Sequence, residues 1–116
     1  MKLTQEHYMM FRDECENNLQ RLGLKGWKVF YEFKPLKNCF GQANWDYSGM
    51  VATITLATDF PKPFDNLEKQ IKETALHECL ELLLAPLRTL AQSRDWDGVV
   101  FDRESHSVIR TLEKLL

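Results

Sequence analysis

The chain of 116 residues has few cysteines, and their spacing does not suit a disulfide framework. Cys15, Cys39 and Cys79 are odd in number and lie far apart, and no Cys-x-x-Cys pair occurs. Small disulfide-stapled domains carry an even number of cysteines, and zinc cages made of thiolates use closely spaced pairs. We therefore expect neither a disulfide scaffold nor a zinc site built from cysteine.

The sequence also lacks an excess of positive charge. Its 15 basic and 17 acidic residues are intermixed, which gives a formal net charge of −2. Proteins that bind phosphate backbones present a basic surface. No nucleic-acid partner is expected.

Long apolar runs are absent as well. No stretch approaches the roughly 20 apolar residues of a membrane-spanning helix. Glu6, His7, Arg12 and Asp13 stand where a secretory signal would carry an apolar run. We expect no membrane association and a place in the reducing cytosol.

What remains is the composition of one folded domain covering residues 1–116. Hydrophobic residues make up 44% of the chain and aromatic residues 11%, which is enough for a core. There is no internal repeat, low-complexity tract or linker, and no signal for a particular oligomeric state.

The first half predicts a helix followed by a small sheet. Thr4 can cap a helix that runs to about Leu22, where Gly23 stops it. Three segments read as strands because they are rich in β-branched and aromatic residues or alternate in polarity; they are 27–33, 40–47 and 50–57. In the last strand Met50, Ala52, Ile54 and Leu56 face one way, which predicts a sheet with one side on a core.

The centre of the sequence is a second predicted helix with an unusual polar stripe. It begins near Asp65, with Glu68 three residues later as a capping box, and Pro86 should end or kink it near residues 84–85. From position 75 to 87 this helix is apolar except for three ionisable residues, which are His77, Glu78 and Glu81.

These three residues share one flank of the helix. His77 and Glu81 are one turn apart, and Glu78 lies beside them. A charge in an apolar setting is costly unless it is paired or bound to a metal, and a nitrogen and an oxygen donor at positions i and i+4 can hold one ion. The pattern therefore predicts a metal site.

The last quarter of the chain predicts a loop and a closing helix. Residues 91–103 lack periodicity and contain turn-forming residues, and their acidic members Asp95, Asp97 and Asp102 lack the ligand spacing of a calcium loop. Residues 104–116 regain helical spacing, with His106 near the start of that helix.

The motif His77-Glu78-Cys79-Leu80-Glu81 resembles the zincin metallopeptidase signature His-Glu-x-x-His, with glutamate in place of the second histidine. The order of elements resembles a minimal zincin scaffold. More narrowly, residues 77–87 and 106–113 resemble small metallopeptidase-like proteins of phage and prophage genomes. The resemblance implies an α+β fold with an N-terminal helix, a small, mainly antiparallel three-stranded sheet, a metal-site helix and a C-terminal helix, and a cytoplasmic location in the host cell.

The resemblance also implies a function, which is zinc-dependent cleavage of a peptide or protein substrate. His77 and Glu81 would bind one zinc ion, since glutamate oxygen is also a zinc ligand. The third ligand would be His106 or Glu104; we favour His106, with Glu104 as substitute or as the group that orients a histidine. Glu78 would be the general base.

An extended peptide would bind by adding to the exposed edge of the strand that carries Val51, Thr53 and Thr55. This mode of substrate binding is an expectation taken from zincins in general.

Other interpretations of the same residues remain open. His77 could be a core histidine bonded to a backbone carbonyl, and the two glutamates could form a solvated face paired with Lys69 or Lys72. A second functional hypothesis is a catalytically inactive zincin-like interaction or structural module, in which Glu81 marks a lost or altered metal site.

Overall fold

The computed structural model describes residues 1–92 and 98–115. It has an α+β architecture, with an N-terminal helix, a three-stranded mixed sheet and two helices that follow the sheet. The elements are α1 (Gln5–Arg21), β1 (Lys28–Lys34), β2 (Gly41–Asp46), β3 (Val51–Ala57), α2 (Leu67–Ala91) and α3 (Gly98–Leu115). Within the described ranges, no helix is both long and apolar enough to span a membrane.

The residues that cap helix α1 are those that the sequence predicts. The Thr4 hydroxyl accepts a hydrogen bond from the His7 backbone N–H, and the Thr4 N–H donates to His7 Nδ1 at 3.0 Å. Gly23 has φ of 72°, a left-handed conformation that glycine adopts without strain and that ends helices. The helix therefore stops where the sequence predicts.

The sheet has the strand order β1-β3-β2. β1 and β3 run parallel, whereas β2 and β3 run antiparallel. The prediction of a mainly antiparallel sheet is therefore wrong. After β1 the chain crosses to the far edge of the sheet and forms β2 there. It then turns back, and β3 lies between β1 and β2 and is hydrogen-bonded to both.

The central place of β3 also corrects the predicted peptide-binding edge. Val51, Thr53 and Thr55 lie on a strand that is hydrogen-bonded on both sides. No edge of β3 is left to receive another strand, so the prediction that it forms the exposed edge is wrong.

One face of the sheet packs on α1 and α2 and forms the core, as predicted. Ala52, Ile54 and Leu56 of β3 are buried, whereas Met50, predicted to share their face, precedes the strand and is exposed. The helices contribute buried residues to the same core, among them Phe11, Leu19, Ile71, Ala75 and Leu82. Cys15 and Cys79 are buried between α1 and α2, and the Cys79 thiol donates to the Cys15 carbonyl at 3.6 Å.

Helix α2 differs from prediction at its N-cap, and it does not end at Pro86. Its N-cap is Asn66, whose side-chain oxygen accepts from the Lys69 N–H at 3.1 Å, so the predicted cap at Asp65 is wrong by one position. The helix also continues through Pro86 to Ala91. Proline removes one helical hydrogen bond, but Leu82, Leu83 and Ala85 are buried there and their packing offsets that loss.

Helix α3 starts at Gly98, six positions before the predicted Glu104, so residues 98–103 are helical and not loop. Residues 93–97, with Asp95 and Asp97, lie outside the described residues. α3 packs along α2, and Val108 lies against the core. His106 therefore lies in the middle of α3, not near its start.

Candidate functional site

Helix α2 lies against the edge strand β2, and Gly41 permits the close approach. A Cβ atom at this position would lie 2.9 Å from Thr74 Cγ2, 3.1 Å from the Thr55 carbonyl oxygen and 3.4 Å from Glu78 Cγ. A side chain here would push the helix away from the strand. Because Gly41 has no side chain, α2 lies close enough to β2 to place His77 and Glu78 beside the start of this strand.

His77 and Glu81 converge, as the i, i+4 spacing predicts. His77 Nε2 lies 3.6 Å from Glu81 Oε1. Two ligands at about 2.1 Å from a tetrahedral zinc ion would lie about 3.4 Å apart, so this pair fits two of its four positions. The His77 side chain is 71% exposed, which contradicts the alternative of a buried core histidine.

Glu78 occupies a different environment from its neighbours. Its side chain is only 7% exposed, and its carboxylate lies 3.9 Å from His77 Nε2. Burial raises the pKa of the Glu78 carboxyl, the nearby His77 lowers it and the Glu81 carboxylate raises it. A solvated face is therefore not the environment of Glu78.

Glu81 has a second partner that the sequence interpretation missed. The Arg88 guanidinium donates to the Glu81 carboxylate, and its Cζ lies 5.1 Å from the centre of the Trp45 ring on β2. Seven residues are two helical turns, which puts Arg88 and Glu81 on one face; that spacing was the available signal. The alternative, in which these glutamates pair with Lys69 or Lys72, is not seen among the described residues, where Lys69 contacts Glu73 at 4.0 Å.

The two candidates for a third ligand lie on α3. Glu104 Oε1 is 3.6 Å from Arg103 Nη2, and His106 Nδ1 is 2.7 Å from the Asp102 carbonyl oxygen. Among residues 1–92 and 98–115, no three His, Cys, Asp or Glu side chains form a group that could hold a metal ion. The structure thus brings His77, Glu78 and Glu81 together, and His106 or Glu104 as third ligand stays a prediction.

Two clefts meet at His77 and Glu78. The first, of about 540 Å³, follows β2 and is here called the strand cleft; its lining includes Gly41, Gln42, Ala43, Asn44, Trp45, His77, Glu78, Glu81 and Arg88. The second, of about 420 Å³, lies towards the loop before β2 and is called the loop cleft; its lining includes Asn38, Cys39, Phe40, Gly41, Gln70, Glu73, Thr74, His77 and Glu78. The free edge of the sheet next to the polar side chains is therefore β2.

Comparison of the chain with protein-family models, with curated proteins and with solved structures finds no match.

Proposed function

We propose that this protein is a zinc-dependent peptidase of the cytosol, with Glu78 as its general base. One observation supports this above the others. A histidine and a glutamate with their donor atoms 3.6 Å apart lie next to a buried carboxylate, at a cleft bordered by the edge strand of a sheet. The likeness of the motif to those of phage and prophage metallopeptidase-like proteins agrees with this proposal.

His77 and Glu81 would hold the zinc ion, with His106 or Glu104 as the third protein ligand. When bound, zinc lowers the pKa of a ligated water to about 7 and polarises a carbonyl group. The donor set of imidazole and carboxylate suits catalytic zinc, whose sites combine three protein ligands with one open position.

Glu78 would accept a proton from the attacking water and then donate it to the leaving amine. A general base works best when its pKa lies near the working pH. Burial moves the Glu78 pKa in that direction, upward from its ordinary value. Its carboxylate lies beside His77, so it can reach a water molecule bound at the same place.

The substrate would bind along β2 and not along β3. In the described part of the chain, β2 is hydrogen-bonded to β3 on one side only, and the strand cleft runs along its residues. An extended peptide could add to this edge by backbone hydrogen bonds. Such binding would bring a peptide bond next to His77 and Glu78.

The test is zinc content and hydrolysis in three proteins. We expect the wild type to bind about one zinc per chain and to cleave an unstructured protein. His77→Ala should lose zinc and cleavage together, and Glu78→Gln should keep zinc and lose cleavage. A folded wild type that binds no added zinc would contradict the proposal.

The Arg88–Glu81 ion pair favours a second candidate, a zincin-like module without turnover. In this arrangement the Glu81 carboxylate already has a cationic partner and needs no metal. If the protein is such a module, removal of metal should leave its thermal stability unchanged. The peptidase predicts that zinc raises the melting temperature, because a ligand that binds only the folded state stabilises it.

A further inference from the structure

The loop cleft shares Gly41, His77 and Glu78 with the strand cleft. A peptide that follows β2 past these residues would bring one of its side chains to the mouth of the loop cleft. Since successive side chains of an extended peptide point to opposite sides, only alternate residues could enter. The loop cleft is therefore placed to select one residue near the cleaved bond.

The charged residues that line the loop cleft are acidic. Glu73 and Glu78 contribute carboxylates, and among the described residues no lysine or arginine lines it. Glu78 is buried, and Nε2 of His77, which also lines the cleft, lies 3.9 Å from its carboxylate. Glu73 is 57% exposed, at the mouth of the cleft. Two carboxylates in the lining of a cleft favour a cationic guest over an anionic one, because opposite charges attract and like charges repel.

The cleft also has an apolar wall, made by Phe40. Its ring is held edge-on by Phe60 and Phe64, with centroid distances of 4.9 and 5.4 Å. Lysine and arginine carry a hydrophobic stem and a charged tip, and they bury the stem while the tip stays at a polar rim. An aromatic wall with a carboxylate at the mouth matches both parts.

We propose that the loop cleft binds a lysine or arginine side chain of the substrate, with its stem against Phe40 and its charge facing Glu73. The protein would then cleave extended peptides next to basic residues. This specificity rests on the proposed peptidase function.

Among residues 1–92 and 98–115, Lys69 is the one cation that forms an ion pair with Glu73, at 4.0 Å. Both side chains are largely exposed, and an exposed ion pair contributes little because water screens it. A substrate cation that is partly buried in the cleft can displace Lys69. Accordingly, Lys69→Gln should strengthen the preference for basic substrates.

The first experiment measures hydrolysis by the zinc-loaded protein of a peptide series that differs at one position, with Lys, Arg, Leu or Glu. We expect kcat/KM for Lys and Arg to exceed that for Glu at least tenfold at one position. Glu73→Lys should reverse the order. Asp13→Lys makes the same change of charge on an exposed site of α1 and should leave the order unchanged.

The second experiment separates this specificity from catalysis. Metal-free wild type is titrated with the Lys and Glu peptides while the backbone amide signals of Gly41 and Thr74 are followed by NMR. Tighter binding of the Lys peptide, lost in Glu73→Lys, supports the cleft assignment even if nothing is hydrolysed, and only the peptidase function would then fail. Equal binding of both peptides, or an equal effect of Asp13→Lys, would overturn the assignment.

Discussion

The guanidinium group of Arg88 donates a hydrogen bond to the Glu81 carboxylate, whose other oxygen lies 3.6 Å from His77 Nε2. The Glu81 carboxylate thus contacts both a cationic side chain and the histidine with which it is expected to bind a metal ion. Trp45 helps to fix this arrangement because Arg88 lies over its ring. The contact makes Arg88 a competitor of any metal ion for Glu81.

Replacing Arg88 with glutamine should strengthen zinc binding. The variant frees Glu81 from an ion pair that is worth roughly 0.5–1 kcal/mol, so the dissociation constant for zinc should fall about 2- to 5-fold. Isothermal titration calorimetry measures this directly. Arg110→Gln, at an exposed position of α3, is the control and should change nothing. Equal affinities in wild type and Arg88→Gln would remove Arg88 as a competitor.

If the protein binds zinc as proposed, its third ligand can be assigned by comparing two variants of α3. If His106 is the ligand, His106→Ala should weaken zinc binding by more than 100-fold, whereas Glu104→Gln, which removes at most an orienting group, should weaken it by about 10- to 100-fold. Competition with a zinc chelator of known affinity covers this range. The reverse order would assign Glu104 as the ligand, and unchanged affinity in both would place the third ligand outside these two positions.

Glu78→Gln should increase the stability of the metal-free protein at neutral pH. Burial raises the Glu78 pKa above its value of 4.5 in the unfolded chain. As the pH rises through the interval between these two pKa values, the unfolded state loses its proton first, and the free energy of unfolding falls. The amide of glutamine carries no charge and removes this dependence.

Urea denaturation at a series of pH values tests this prediction. The wild-type and Glu78→Gln free energies of unfolding should be similar near pH 4 and should separate as the pH rises, with the variant the more stable. Parallel curves would show that Glu78 ionises as easily in the folded protein as in the unfolded chain.

Gly41→Ala should destabilise the contact between α2 and β2. The new Cβ would lie 2.9 Å from Thr74 Cγ2 and 3.1 Å from a backbone oxygen, and such overpacking costs about 1–3 kcal/mol. Thr74→Ser removes the first of these two obstacles and should recover part of the loss in the double variant. At Gly98 an added Cβ meets nothing within 4 Å, so Gly98→Ala is the control in the same denaturation experiment and should cost little.

The sequence predicts the helices and strands of this fold better than their arrangement. Capping at Thr4 and the alternation of Ala52, Ile54 and Leu56 are local signals, and the structure confirms both. Strand order is not local, because alternation is the same whichever strands are neighbours. One signal for the central place of β3 was present: it has no charged residue, whereas both edge strands carry them, as edge strands in general do.

The candidate site, too, could be predicted from the sequence only in part. The proximity of His77, Glu78 and Glu81 follows from helical geometry alone. The contact of Arg88 with Trp45, the burial of Glu78 and the two clefts depend on how α2 lies against β2, which periodicity does not encode. Pro86 is the clearest case, since its local effect is to end a helix and the packing of its neighbours overrides that effect.

The central place of β3 has a consequence for the order of folding. β2 and β3 are separated only by residues 47–50, whereas β1 must join β3 across residues 35–50. Closing the longer segment costs more chain entropy, so we expect the hairpin in the folding nucleus and β1 to dock afterwards. In stopped-flow kinetics, conservative truncation of Ile54 should therefore slow refolding, whereas truncation of Val29 should mainly accelerate unfolding.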